Sequence, residues 1–271
     1  MFSKMERIKN IKLYLFDMDG TLYLGNRLYD FTKELLSTIK ANGGRYMFMT
    51  NNSSKSVSDY IKKLEKMGIE ADYEDFMTSS QATAYYLKKH HEGQRLYVCG
   101  TESLKEELRK SGFTVTEDIS EVDCIVMGFD TELTFKKLHD VSYMLLTRKD
   151  IPYIATNPDY VCPTEFGSVP DCGSVCDMLY NVSKRRPLFI GKPEPLMPVL
   201  AMEKAGIKKE ETAVVGDRIY TDIKSGLSAG ALSILVLSGE TTRQILEESA
   251  DKPDLVLESA EEILNILKER K

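Results

Sequence analysis

No apolar run in this chain approaches the ~18 residues that a membrane span needs. The opening MFSKMERIKNIKLYLF carries basic residues, but its short apolar run meets Asp17 at once, so no signal peptide is expected. Basic residues are the minority, 36 Lys and Arg against 42 Asp and Glu, for a formal net charge of −6. That balance argues against binding a nucleic-acid polymer, which needs a basic footprint. It leaves room for a small anion, because a local site can oppose the global sign. Histidine is scarce: His90, His91 and His139 are the only three. The five cysteines, Cys99, Cys124, Cys162, Cys172 and Cys176, include no C-x-x-C pair. An odd count in a long chain speaks against a disulfide framework, and the ligand spacing speaks against structural zinc. Reduced thiols in a cytoplasm are the expectation.

What is present is an ordinary globular composition, 42% hydrophobic and 29% charged over 271 residues, long enough for about two domains. Strand-like and helix-like patterns alternate. Strands are expected at LYLF, at RYMFMT (45–50), RLYVCG (95–100), DCIVMGF (123–129), PYIAT (152–156), PLFIG (187–191), TAVVG (212–216), LSILVL (232–237) and DLVLE (254–258). Helical segments fall between most of them, including 31–41, one opened by Ser56 and Asp59 in a capping-box variant, and an amphipathic 259–271. The alternation implies an α/β protein with largely parallel sheets.

The run LYLFDMDGT ends a buried strand in two carboxylates, Asp17 and Asp19. If the chain stays extended they share a side, and each raises the other's pKa. The fold gains nothing from such a pair. In an open parallel sheet, ligands bind beyond the carboxyl ends of the strands. Three other apolar runs end in polar residues there: Thr50-Asn51-Asn52, Gly191-Lys192-Pro193, and Gly216-Asp217-Arg218 with Thr221-Asp222. Carboxylates, a lysine and open loop N–H groups are the parts that phosphoryl transfer through an aspartyl-phosphate requires. A divalent cation would relieve the repulsion, and Mg²⁺ suits an all-oxygen site.

DMDGT, TNN, GKP and GDRIYTD, in that order, resemble the four motifs of the haloacid dehalogenase superfamily of phosphatases. The resemblance implies a Rossmann-like parallel-sheet core and a Mg²⁺ cofactor. It implies that Asp17 is the nucleophile and a metal ligand, and that Asp19 is the general acid/base, with its carbonyl on the metal. Gly20 would leave its N–H open to the phosphate, and Thr21 would steady the loop. Thr50, Asn51 and Asn52 would bind the phosphoryl group, and Lys192 would bridge it to the nucleophile. Asp217 would bind the metal, and Asp222 would support it or orient the lysine. Members that displace halide lack an acid at the position of Asp19, so its presence favours phosphate esters.

The stretch from Thr50 to Lys192, about 140 residues, is far too long for one βα unit of ~30. An α/β cap is expected over 81–186, inserted into a core of 1–80 and 187–271, where it would exclude water during phosphorylation. The layout is similar to the subfamily of NagD and the para-nitrophenyl phosphatases, with further matches at TSSQA (78–82), ATNPD (155–159) and the 167–174 loop. By that resemblance Asn157, Asp159 and the loop 160–173 face the substrate. Cys162 stands where some relatives place a substrate-touching histidine. The expected activity is Mg²⁺-dependent hydrolysis of small phosphate monoesters: sugar phosphates, nucleoside monophosphates or para-nitrophenyl phosphate. A phosphotransferase or mutase on the same chemistry is the alternative. A binding protein that has lost turnover is disfavoured because every motif acid is retained. A homodimer through the cap is expected by analogy.

Overall fold

A computed structural model describes residues 4–164 and 166–269. Glu165, within the expected loop, and Arg270 and Lys271, at the end of the expected last helix, lie outside the described residues. No described helix is long and apolar enough to cross a membrane. The chain forms two compact units. The first comprises the chain up to Thr50, Tyr60–Met77 and the chain from Lys192 on; the second comprises Asn51–Asp59 and Thr78–Gly191.

The first unit is built on a six-stranded sheet in the order Leu255–Leu257, Leu232–Val236, Thr212–Gly216, Leu13–Phe16, Arg45–Thr50, Phe76–Thr78. The pairings among the first five are parallel. Leu13–Phe16 lies between two strands and is buried at all four residues, which is why it reads as an unbroken apolar run. Its register sets the site: Phe16 lies opposite Val215 on one side and Phe48 on the other. The chain therefore leaves the sheet at Asp17 beside Gly216-Asp217 and Met49-Thr50. Helix Thr32–Ala41 buries Leu35, Leu36 and Ile39 and packs against Glu261–Lys268, which buries Ile263, Leu264 and Leu267. Each such side chain, taken fully from water, contributes roughly 1.5–3 kcal/mol before entropy is counted.

The second unit holds a five-stranded sheet in the order Leu188–Phe189, Tyr153–Ala155, Cys124–Met127, Arg95–Cys99, Thr114–Val115, parallel throughout. Helices Phe135–Thr147 and Cys172–Ser183 pack together over it, with Val141, Met144, Leu145, Cys176 and Leu179 in one cluster. Helix Ser79–His90 starts with a capping box, Thr78 accepting from the Gln81 N–H and Gln81 accepting from the Thr78 N–H. All five cysteines are free thiols, and Cys162 alone is not fully buried.

One expectation is corrected here. PLFIG was expected to deliver Lys192 from the catalytic sheet, but Leu188–Phe189 pairs with Tyr153–Ala155 in the second unit's sheet. The physical reason is that a short apolar run carries no mark of which sheet it will join. Several short elements were also not foreseen: the hairpins Tyr23–Leu24/Arg27–Leu28 and Val161–Thr164/Gly167–Pro170, and the strands Phe76–Thr78 and Thr114–Val115.

Candidate active site

The site is assembled in the first unit at the carboxyl ends of its central strands. Lys192 is almost fully buried, and its ammonium has three acceptors: Asp17 Oδ1 at 2.7 Å, Asp222 Oδ1 at 2.5 Å and the Met49 carbonyl at 3.2 Å. An ammonium has three protons to give, so none is wasted in the protein interior. Burial alone would push Lys192 down; the charges of Asp17 and Asp222 outweigh it and hold the amine above its ordinary range.

Asp17, Asp217 and Asp222 each present a carboxylate oxygen within 4.8 Å of the others. Burial, and then the charge of Asp17, pushes Asp217 up to about 6. Asp222, wholly buried, is pushed up to about 7 by burial and by the charges of Asp17 and Asp217, against the opposing pull of Lys192. Asp222 reaches the cluster on one wide helical turn, Ile219–Ile223, closed by reciprocal bonds: the Arg218 N–H donates to Asp222 Oδ2 at 3.0 Å, and the Asp222 N–H to the Arg218 carbonyl at 2.9 Å. π-type turns of this kind recur at functional sites. At Gly216 a Cβ would collide with the Asp222 side chain, so only glycine lets that turn close.

The loop after Asp17 departs from expectation in two ways. The strand ends at Phe16, and the Met18 carbonyl then accepts from the Leu22 N–H at 2.9 Å, so the chain curls rather than staying extended. Asp19 is exposed, and its Oδ1 accepts from the Gly25 N–H at 3.2 Å. The acids clustered with Asp17 are Asp217 and Asp222, both beyond the strand Thr212–Gly216. Second, the Gly20 N–H is not open: it donates to the Tyr23 carbonyl at 2.7 Å as the loop turns into its hairpin. Gly20 is instead required for its left-handed backbone, φ +84, and because a Cβ would sit 2.5 Å from Asp217 Oδ2. Thr21 is buried, with Oγ1 3.4 Å from Asp217 Oδ1.

Thr50 closes the strand Arg45–Thr50 and is half-buried. Asn52 Oδ1 accepts from the Ser54 N–H at 2.9 Å and the Ser54 hydroxyl at 2.8 Å, shaping the turn that follows. Asn51 is buried and donates from Nδ2 to Asp159 Oδ2 at 2.9 Å. Asn157 is fully buried, its Nδ2 donating to the Asn51 carbonyl at 2.9 Å and its Oδ1 accepting from the Asp159 N–H at 3.0 Å. Asp159 is partly buried. Cys162 lies in the Val161–Thr164 strand opposite Val169, partly exposed.

Sequence reasoning missed the loop 238–241. The Glu240 N–H donates to Asp217 Oδ2 at 2.7 Å, the Thr241 N–H to the Asp217 carbonyl at 3.1 Å, and Ser238 Oγ to the Gly20 carbonyl at 2.7 Å. At Gly239 a Cβ would overlap the Asp217 carboxylate. Glu240 also pairs with Arg218 at 2.9 Å and accepts from the Tyr220 hydroxyl at 2.7 Å. The signal was present: this loop follows the apolar run LSILVL, so the carboxyl-end argument applies to it as well.

The donor set fits a hard divalent cation. Three carboxylates converge and only oxygen is offered. Burial raises Asp217 and Asp222, and the charge of Asp17 adds to it in both.

Comparison with known proteins agrees with this geometry. Residues 14–114 match the family of haloacid dehalogenase-like hydrolases, and residues 189–263 match a HAD-hydrolase-like family. The acid sugar phosphatase of Staphylococcus haemolyticus is 35% identical over 91% of this chain and 92% of its own length. The solved 4-nitrophenylphosphatase of Thermotoga maritima is 40% identical, covering 96% of this chain and 98% of its own, with a TM-score of 0.90. NagD from E. coli K-12 is 32% identical over 92% of this chain and 96% of its own, with a TM-score of 0.84. The chain belongs to the haloacid dehalogenase-like hydrolases, as a phosphatase of the NagD-like branch.

Proposed function

We propose that this phosphatase hydrolyses small phosphate monoesters through a phosphorylated Asp17, with Mg²⁺ as cofactor. The observation that carries the reading is the Lys192 ammonium set between Asp17 and Asp222, with Asp217 in the same cluster. Sugar phosphates and 4-nitrophenyl phosphate head the substrate class because similar proteins are named for acting on them; nucleoside monophosphates belong to the same class.

An Asp17 carboxylate oxygen attacks phosphorus, and the P–O bond to the alcohol breaks. Asp19, exposed at the loop tip, gives its proton to the departing oxygen, then takes one from the water that attacks the phosphorylated Asp17. The products are the alcohol and inorganic phosphate, with Asp17 restored. Lys192 holds Asp17 in place and neutralises charge on the phosphoryl oxygens, joined by the Thr50 hydroxyl and the Asn51 N–H. Asp17, Asp217 and Asp222, with the Asp19 carbonyl, would hold Mg²⁺, which would supply the positive charge that lets an anion approach three carboxylates.

Choice of leaving group is assigned to the second unit, as the cap. Exposed apolar side chains on its helices, Phe135, Tyr143 and Leu146 on one and Met178 and Val182 on the other, support self-association through that unit. The free buried thiols suit a reducing compartment such as a cytoplasm. The test is release of inorganic phosphate from a panel of monoesters, with Mg²⁺ or with EDTA, against Asp17→Asn. Release that needs Mg²⁺ and is lost in the variant is expected; release unaffected by either overturns the reading.

A further inference from the structure

Three residues of the second unit close a ring of hydrogen bonds. Asn51 Nδ2 donates to Asp159 Oδ2 at 2.9 Å, the Asp159 N–H donates to Asn157 Oδ1 at 3.0 Å, and Asn157 Nδ2 donates to the Asn51 carbonyl at 2.9 Å. Each member gives one bond to the ring and accepts one from it, so the ring ties the side chain and the backbone of Asn51 to the 157–159 segment. Ser79 Oγ donates to the same Asn51 carbonyl at 2.6 Å, which fills both lone pairs of that oxygen. Gly191 is packed into the ring's side: a Cβ there would stand 2.6 Å from Asn51 Oδ1, 2.6 Å from the Thr156 carbonyl and 3.1 Å from Asn157 Cβ. Asn51 and Gly191 are the chain neighbours of Thr50 and Lys192.

We propose that Asn157 and Asp159 are positioning residues rather than substrate contacts: their ring holds Asn51 by its carboxamide and by its carbonyl, which pins the Cα between them and so restrains the nitrogen that carries the Asn51 N–H. This rests on the reading above that the Asn51 N–H meets the phosphoryl group. Asn157 is wholly buried, and its carboxamide is bonded at both ends to backbone of the second unit, which suits it to holding that backbone in place. A donor turned away from its target by about 1 Å costs on the order of a hundredfold in rate. The phosphoryl group is common to every monoester, so loss of the ring weakens all substrates alike. A contact with the leaving group would weaken some and spare others.

The chemistry of Asp159 separates the two roles. Asp159→Asn keeps an oxygen to accept from Asn51 Nδ2 and removes only the charge; Asp159→Ala removes the acceptor. With 4-nitrophenyl phosphate and a sugar phosphate as substrates, Asp159→Ala and Asn157→Ala are expected to lower kcat by about 10- to 100-fold on both. Inorganic phosphate should become a weaker inhibitor in parallel. Asp159→Asn should stay within about threefold of the parent enzyme, a difference of about 0.7 kcal/mol or less. Equal loss in the Asn and Ala variants of Asp159, or a loss confined to one leaving group, overturns the proposal. Hydrogen exchange in the peptide covering residues 51–56 reads the ring without turnover. It should quicken in Asp159→Ala and not in Asp159→Asn, and unchanged exchange in Asp159→Ala also overturns the proposal. If Asn157→Ala fails to fold, the Asp159 pair decides alone. If the parent protein hydrolyses no ester, the proposed function fails, and the exchange measurement still judges the ring.

Discussion

Lys192 Nζ stands 2.7 Å from Asp17 Oδ1 while the same ammonium lies 2.5 Å from Asp222 Oδ1. One cation thus bridges the proposed nucleophile and an acid delivered by a different strand. Removing it leaves two carboxylates facing each other in a buried site, with no ammonium to meet the incoming phosphate. Lys192→Met is expected to lower kcat by about 10²- to 10³-fold. Lys192→Arg should not restore it, because a planar guanidinium cannot reach three acceptors from the space of an ammonium. Steady-state kinetics on both variants checks this; activity within about threefold of the parent in either would count against the bridge.

Gly239 makes its contribution through Asp217. The loop that carries it places the Glu240 N–H on the Asp217 carboxylate, and a Cβ at Gly239 would occupy the carboxylate's own space. Gly239→Ala should therefore weaken Mg²⁺ binding by about tenfold or more, by turning Asp217 out of the cluster. Calorimetric titration with Mg²⁺, alongside the thermal midpoint of the metal-free protein, separates this from unfolding. Unaltered affinity would show that Asp217 does not depend on this close approach.

Asp171 caps the helix Cys172–Ser183, its Oδ1 accepting from the Cys172 N–H at 2.5 Å. Burial pushes this carboxyl from its ordinary 3.8 up to about 7, with the charge of Asp159 adding to it. The folded protein therefore holds this proton more tightly than the unfolded chain does. The group's stabilising contribution is present below about pH 4 and is lost as pH rises towards 7. Asp171→Asn keeps a capping oxygen and removes the titration, so its thermal midpoint should fall less than the parent's across that window. Parallel curves would contradict the shift. Asp171→Ala, which loses the cap, should be destabilised by about 1 kcal/mol at low pH.

The catalytic sheet was legible because its strands are covered on both faces and read as apolar runs: LYLF, RYMFMT, TAVVG and LSILVL all became strands of one sheet. Asp17, Asp217, Asp222 and Lys192 were legible as a group because each directly follows such a run, or nearly so. The placement of Leu188–Phe189 was not, since two residues of strand carry no partner information. Nor was the curl after Phe16, which depends on the Met18 carbonyl collecting N–H groups from the turn, a backbone event with no side-chain signature. The burial of Asn157 was hidden for a related reason. An asparagine in a loop looks the same in sequence whether its carboxamide meets solvent, a ligand or the backbone.

The central claim is that Asp17 carries the phosphoryl group, and covalent trapping tests it most directly. The enzyme is mixed with an ester radiolabelled in its phosphate, quenched in acid during turnover, and digested. The account predicts label on the peptide containing Asp17, released by hydroxylamine as an acyl phosphate must be, and none in Asp17→Asn. Turnover that proceeds with no label on the protein, and that survives in Asp17→Asn, would contradict it.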